Sequence, residues 1–319
     1  MALKTKLGLL AGSLCMAFMM AAGPAQAQAT THHRRPGTTH VQGKPRPTKH
    51  HRSVTEVASA SESYILIDGS TGRVLSQKNA DALHHPASTT KIMTAICVWD
   101  AIRGGRLSLD SVITISRHAA SQHNSALDRS LKAGTRITVR EALNLVAVAS
   151  SNDLAAALAE AVAGTESDFA GVMNRKAVEL GMNRSHFVNA SGLPDERQVT
   201  TAADMARLVE TVLTDYKDMM PFFAQKSVVY NGVTYDNHNH LLSGDEPYDG
   251  MDFGKTGYFH HAGSSLAASA TKGGKRILAV ILKAPTAAQR DKDMRTLLNE
   301  GFDILAAPKT PDNAPEPRG

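Results

Sequence analysis

The sequence predicts a mixed α/β (α+β) fold, in which an antiparallel sheet is assembled from both ends of the folded region and helices are inserted between. Three observations predict it. Alternating apolar runs that read as strands cluster near residues 63–78 and again at 226–282, runs with a helical apolar period fill the middle, and one amphipathic helix follows the last strand. Residues 56–306 are enough for one large domain or a domain with a subdomain.

In order along the chain, "SYILIDGSTGRVLSQ" gives two alternating runs around a turn from Asp68-Gly69 to Gly72, which is an opening hairpin. Residues 84–102, "HHPASTTKIMTAICVWDAI", begin a helix near Ser88 that runs to a glycine stop at Gly104-Gly105. Thr138 and Glu141 have capping-box spacing before "ALNLVAVAS", and "LAAALAEAVAG" and "DFAGVMNRKAVELG" follow as helices with glycine ends. Strands then return. "KSVVYNGVTY" carries an Asn231-Gly232 hairpin signal, "SSLAASATKGGKRILAVIL" turns at Gly273-Gly274, and "AAQRDKDMRTLLNEGFDIL" closes the region as an amphipathic helix. Met219, Met220, Phe222, Phe223 and Trp99 are read as core. There is no internal repeat.

The two ends differ in composition from this region. The opening "MALKTKLGLLAGSLCMAFMMAAGPAQAQA" has Lys4 and Lys6, an apolar stretch and Ala-Gln-Ala spacing, the three-part form of a secretory signal over residues 1–29. Its apolar run is short of the roughly 20 residues of a spanning helix. Leu14 before Cys15 is larger than a lipoprotein processing site prefers. With the signal removed, Cys97 is the only cysteine, so no internal disulfide can form and the fold must rest on its core.

Residues 30–55 form a basic His/Pro-rich linker: from Thr31 to Val54 there are six Lys or Arg, five His, three Pro and no acid. Of the chain's +5 formal charge the signal supplies +2 and the linker +6, which leaves −3 for the rest. The basic pI therefore belongs to the ends. The linker is read as a solvated spacer whose charge suits weak contact with anionic envelope polymers. Residues 307–319 form a Pro-rich tail.

The chemistry starts with Ser88 and Lys91. Positions three apart share one helix face, so the amine projects beside the hydroxyl. Serine is a poor nucleophile until a base takes its proton, and a lysine can be that base only if burial or a neighbouring cation lowers its pKa by up to about 3–5 units. S-x-x-K alone is common by chance. Two further motifs change the weight. Ser150-Ser151-Asn152-Asp153 interrupts two apolar helical runs with an S-x-N, and Lys255-Thr256-Gly257 stands at the start of a strand, where Gly257 lets a substrate backbone approach. S-x-x-K, S-x-N and K-T-G in that order are the set of the penicillin-binding proteins and class A β-lactamases.

With these motifs the chain resembles the low-molecular-mass penicillin-binding proteins, serine-type D-Ala-D-Ala carboxypeptidases, over residues 60–306. "NASGLPDERQVTTAADMARL" is similar to that family's G-L-P-D loop and following helix, and "DGMDFGKTG…AGSSLAASAT" to its K-T-G strand and hairpin. The resemblance implies a DD-peptidase/β-lactamase-like fold: a five-stranded antiparallel sheet flanked by helices, plus a helical lobe. It implies Ser88 as nucleophile, Lys91 as base, Ser150 and Lys255 as the route of a proton to the leaving D-alanine, and Asn152 as a substrate ligand that orients Lys91. Lys255 would stay charged and, with Thr256, receive the terminal carboxylate. Arg290 would stand near that site, and the N–H groups of Ser88 and Tyr258 would form the oxyanion hole. The partners implied are a stem peptide ending in D-Ala-D-Ala and β-lactams as covalent inhibitors; no cofactor, metal or nucleic acid is implied.

One departure is "KTGYFHH", where members often read K-T-G-H-T, so Tyr258 and Phe259 replace a polar pair. The expected product is a periplasmic or secreted enzyme without the family's extra β-domain and C-terminal anchor. His238, His240, His260 and His261 are weighed as zinc ligands and set aside, because no Cys or acid completes a set. A D,D-endopeptidase on cross-links is the first alternative function. A β-lactamase is the second, and its class A form needs a glutamate loop that Glu179 and Asn183 match only in end-to-end spacing. A non-catalytic wall-binding protein is the third, which the complete motif set disfavours.

Overall fold

The computed structural model of the protein describes residues 59–122 and 131–307. The expected signal and linker, residues 1–55, lie outside the described residues, as does all but the first residue of the expected tail. The chain opens with β1 (Ser63–Asp68) and β2 (Val74–Lys78), then a 3-10 turn (Ala87–Thr90) leads into α1 (Lys91–Arg103). The helical region holds β3 (Val112–Thr114), α2 (Arg117–Ala120), β4 (Arg136–Thr138), α3 (Val139–Ala147), α4 (Asn152–Ala163) and α5 (Glu166–Glu179). There follow α6 (Ala202–Asp215), α7 (Met220–Phe223), the ribbon β5 (Ser227–Tyr230) and β6 (Val233–Asp236), and α8 (His240–Ser243). Three long strands, β7 (Met251–Phe259), β8 (Gly263–Lys272) and β9 (Lys275–Ala284), precede α9 (Ala287–Ala306).

The main sheet has the order β2-β1-β9-β8-β7 with every pair antiparallel, so the last strand docks between the first hairpin and β8. Because side chains alternate across a strand, β1 and β9 feed two cores. Ile65, Ile67, Leu278, Val280 and Leu282 face the larger cluster with α1 and α6, while Tyr64, Leu66, Ile277, Ala279 and Ile281 face α9. Met294, Leu297 and Leu298 of α9 close that second face at i, i+3 and i+4 spacing. Each such side chain, fully buried, contributes roughly 1.5–3 kcal/mol.

Local signals read from the sequence are met in place. The Thr138 hydroxyl accepts from the Glu141 N–H while the Glu141 carboxylate accepts from the Thr138 N–H, a complete capping box. Asn231 and Gly232 both have positive φ, +49° and +77°, as a two-residue hairpin turn requires. Met219 and Phe223 are buried, Met220 and Phe222 pack against the same core, and Trp99 meets the Phe222 ring edge-on at 5.3 Å.

Three features of this fold place the site. The 3-10 turn that carries Ser88 packs against β7, an edge strand of the sheet. The chain breaks between α3 and α4 at Ser150, whose φ is +58°. The third is the 189–192 loop, which passes behind the turn at Gly192.

Candidate active site

The turn bearing Ser88 is clasped from two sides by glycines. A Cβ on Gly257 would lie 2.9 Å from the Pro86 carbonyl oxygen and 3.2 Å from the Ser88 nitrogen. A Cβ on Gly192, at φ +86°, would lie 1.9 Å from the Ala87 carbonyl oxygen and 2.9 Å from the Ser88 nitrogen. Gly257 therefore admits the nucleophile's own backbone, a close approach that the sequence reading assigned to substrate.

Lys91 is the first residue of α1 and has no solvent exposure. Its Nζ lies 2.9 Å from Ser88 Oγ, 2.7 Å from Asn152 Oδ1 and 2.6 Å from the Ser191 carbonyl oxygen. A neutral amine has two N–H donors and one lone pair. The Asn152 and Ser191 oxygens can only accept, so they take the two N–H bonds and leave the lone pair directed at the Ser88 hydroxyl. Burial, and then the charge of Lys255, hold the Lys91 pKa well below the usual lysine range, against the opposing carboxylates of Asp153 and Glu166. The arrangement suits a general base.

On the opposite wall Lys255, also buried, donates to Ser150 Oγ at 3.0 Å and to the Thr256 carbonyl at 3.2 Å. Burial and the neighbouring Arg290 bring its pKa down to about 7. This modifies the expectation that Lys255 stays charged: burial weakens its hold on the proton in the ligand-free protein, and an arriving carboxylate would favour the cation.

Ser88, Ser150, Thr256, Gly257, Tyr258 and Arg290 all line one cleft of about 510 Å³. Arg290, buried, donates to Asp291 at 2.6 Å and to the His238 carbonyl at 3.3 Å. The structure thus brings together all of the site residues named from sequence. Sequence reasoning missed the Ser191 carbonyl and the close approach at Gly192, and it weighed His238 only for zinc. His238 lines the cleft, and its pKa is lowered to about 4 by burial, Lys255 and Arg290. The four histidines weighed for zinc fall into two pairs: His238 and His240 line the cleft, where His240 binds Asp291 at 2.9 Å, and His260 meets His261 edge-on at 5.1 Å. Glu179, the glutamate weighed for a β-lactamase, ends α5, has a side chain 61% exposed, and pairs with Lys176 at 2.6 Å.

Buried lysines with lowered pKa values make stability depend on pH. A folded-state pKa below the unfolded value means that the unfolded chain binds more protons between the two, so stability rises with pH across that window. For Lys255 the window runs from about 7 to 10.5. Calorimetry should therefore show the thermal midpoint climbing from neutral toward alkaline pH, with a flatter rise in Lys255→Met. Parallel profiles for the two proteins would contradict the lowered pKa.

A family model described as D-alanyl-D-alanine carboxypeptidase matches residues 49–286. The chain belongs to this family. It is similar to the D-alanyl-D-alanine carboxypeptidase DacF of Bacillus subtilis (strain 168), with 35% identity over 256 residues, covering 79% of this chain and 64% of that relative. Two solved structures share the fold. The D-alanyl-D-alanine carboxypeptidase DacD from Francisella tularensis aligns with a TM-score of 0.73 at 31% identity, covering 77% of this chain and 71% of that one. The ampicillin-bound Penicillin-Binding Protein D2 from Listeria monocytogenes aligns with a TM-score of 0.66 at 28% identity, covering 76% and 98%. The chain has the five-stranded antiparallel sheet and helical lobe that its family resemblance implied. It spans 60–64% of the length of the first relatives it matches.

Proposed function

We propose that this member of the family is a serine D-alanyl-D-alanine carboxypeptidase acting on peptidoglycan stem peptides through an acyl-enzyme on Ser88. The observation that carries the reading is the Lys91 amine, held by two acceptor-only oxygens with its lone pair toward Ser88 Oγ. Lys91 takes the Ser88 proton as the oxygen attacks the carbonyl between the two D-alanines. The developing oxyanion is received by the N–H groups of Ser88 and Tyr258, each such donor being worth roughly 2.7–4 kcal/mol in acyl transfer. Ser150, beside Lys255, passes a proton to the leaving amine of D-alanine, and water then releases the shortened peptide. Lys255, Thr256 and Arg290 bind the terminal carboxylate, and Asn152 holds the substrate amide.

A β-lactam mimics the D-Ala-D-Ala end, and Ser88 would open its ring by the same attack. The leaving amine stays tethered and obstructs water, and the cleft offers no glutamate in the place of the class A deacylating base among its lining residues. Ser88 should thus form a penicillin adduct quickly and hydrolyse it slowly. Intact-protein mass spectrometry should show the added mass and peptide mapping should place it on Ser88. Drug turnover without an adduct would favour a β-lactamase, and neither adduct nor turnover would refute the reading. With purified sacculi, loss of one alanine marks a carboxypeptidase, whereas loss of cross-linked dimers marks the endopeptidase alternative.

Among the described residues no helix is long and apolar enough to cross a membrane. The leader over residues 1–29 supports a periplasmic or secreted location after its removal. The basic segment over residues 30–55 would make weak contact with anionic envelope polymers, which salt should weaken. Its composition supports that reading.

A further inference from the structure

One buried carboxylate near the base is not among the groups used above. Glu166 opens α5, just after the cap residue Thr165, and its side chain is 10% exposed. An acid in a first turn would ordinarily serve its own helix. The Glu166 carboxylate instead reaches two other segments: Oε1 accepts from the Ala190 N–H at 2.9 Å, and Oε2 lies 2.7 Å from His118 Nε2 of α2.

Ala190 is held on its other side too, since its carbonyl accepts from Thr94 Oγ1 of α1 at 2.6 Å. The next carbonyl in the chain is that of Ser191, which accepts from Lys91 Nζ at 2.6 Å. Asn189 Oδ1 completes the loop by accepting from the Gly192 N–H at 2.7 Å. The Ser191 oxygen is one of the two acceptors that leave the Lys91 lone pair facing Ser88. If that carbonyl swung away, the amine could rotate and the lone pair would lose its aim.

We infer that Glu166, braced by His118, is a positioning residue for acylation, fixing the Ser191 carbonyl on Lys91 through Ala190. The inference rests on the reading of Lys91 as base. The charged groups that face Lys91 are Lys255 from β7, Asp153 from α4 and Glu166 from α5; His118 from α2 faces Glu166. Glu166 favours the charged form of Lys91, so its removal should ease deprotonation.

The test uses the rate of acylation by a β-lactam across pH, in wild type, Glu166→Gln and Glu166→Ala. Glutamine keeps an oxygen to accept from Ala190 but loses the charge. Its plateau rate should stay near wild type while the acidic limb of the profile moves to lower pH. Alanine should slow acylation by roughly tenfold to a hundredfold, the scale of an ångström-sized misplacement of a reacting group. Glutamine as slow as alanine, or alanine as fast as wild type, would overturn the inference. A crystal structure of Glu166→Ala decides the point separately from activity: a Ser191 carbonyl still seated on Lys91 overturns it, and a displaced one supports it. Wild-type protein that never acylates would instead refute the proposed function.

Discussion

Replacing Lys91 with arginine should reduce acylation by on the order of 10⁴-fold, the upper end of what a general base contributes, although the substitution keeps a long basic side chain. Arginine cannot deprotonate in a protein, so the lone pair facing Ser88 Oγ disappears. The guanidinium is also planar, and Asn152 Oδ1 and the Ser191 carbonyl are set at 2.7 and 2.6 Å for a tetrahedral amine. Ser88→Ala should abolish the penicillin adduct entirely. Lys255→Arg is the informative contrast, since the role assigned to Lys255 needs a cation near Ser150 and a carboxylate, and arginine supplies one. That variant should retain measurable activity. Pseudo-first-order acylation rates for the three proteins check the assignment, and substantial acylation by Lys91→Arg would remove Lys91 from the role of base.

Gly192→Ala should disable the site from outside the three motifs. The position has φ +86°, where a side chain costs roughly 1–3 kcal/mol. The larger problem is where the methyl would go, only 1.9 Å from the Ala87 carbonyl oxygen, which is backbone and cannot swing aside. Either the 189–192 loop or the turn carrying Ser88 must move, and both moves act on Lys91, through Ser191 or through Ser88. A shift of about an ångström in a reacting group can lower a rate by about a hundredfold. Stopped-flow acylation alongside circular dichroism separates lost alignment from lost folding. Wild-type acylation by Gly192→Ala would show that the loop gives way without disturbing the base.

The order of elements was legible because each left a local signature: apolar strand runs for β1 and β9, a capping box at Thr138 and Glu141, and paired glycine or asparagine turns at Asn231-Gly232 and Gly273-Gly274. Helix geometry placed Lys91 beside Ser88, but the S-x-x-K pair alone was too common by chance to mark a site. The three motifs gained meaning only together, since a polar cluster at a helix break and a lysine in a strand are each common; the K-T-G read as a strand start lies in mid-strand, because β7 begins four residues earlier, at Met251. What stayed hidden is made of backbone. The Ser191 carbonyl belongs to every residue type, so no side chain announces that it binds Lys91 across a separation of 100 positions. Glu166 reads as an ordinary first-turn acid, and only the fold shows that its carboxylate serves another loop. Arg290 lies on a helix whose apolar period is clear, and its turn toward the cleft depends on how α9 docks on β9, which the period does not fix.

The central position of β9 has a consequence for how the protein comes into being. Ser63 pairs with Leu282, so the sheet joins segments separated by more than two hundred residues. Closing a span of that length is slow even though the entropy cost grows only gently with loop size. Until β9 arrives, the β1–β2 and β7–β8 hairpins each have an open edge, and the apolar faces later shared with α9 have no cover. A nascent chain halted before residue 275 would present those edges to any neighbour, a state prone to aggregation and suited to capture by holding chaperones. Synthesis and maturation of the nucleophile are therefore separate events, because the strand beside Ser88 cannot join the completed sheet until almost the last strand-forming residue has been made.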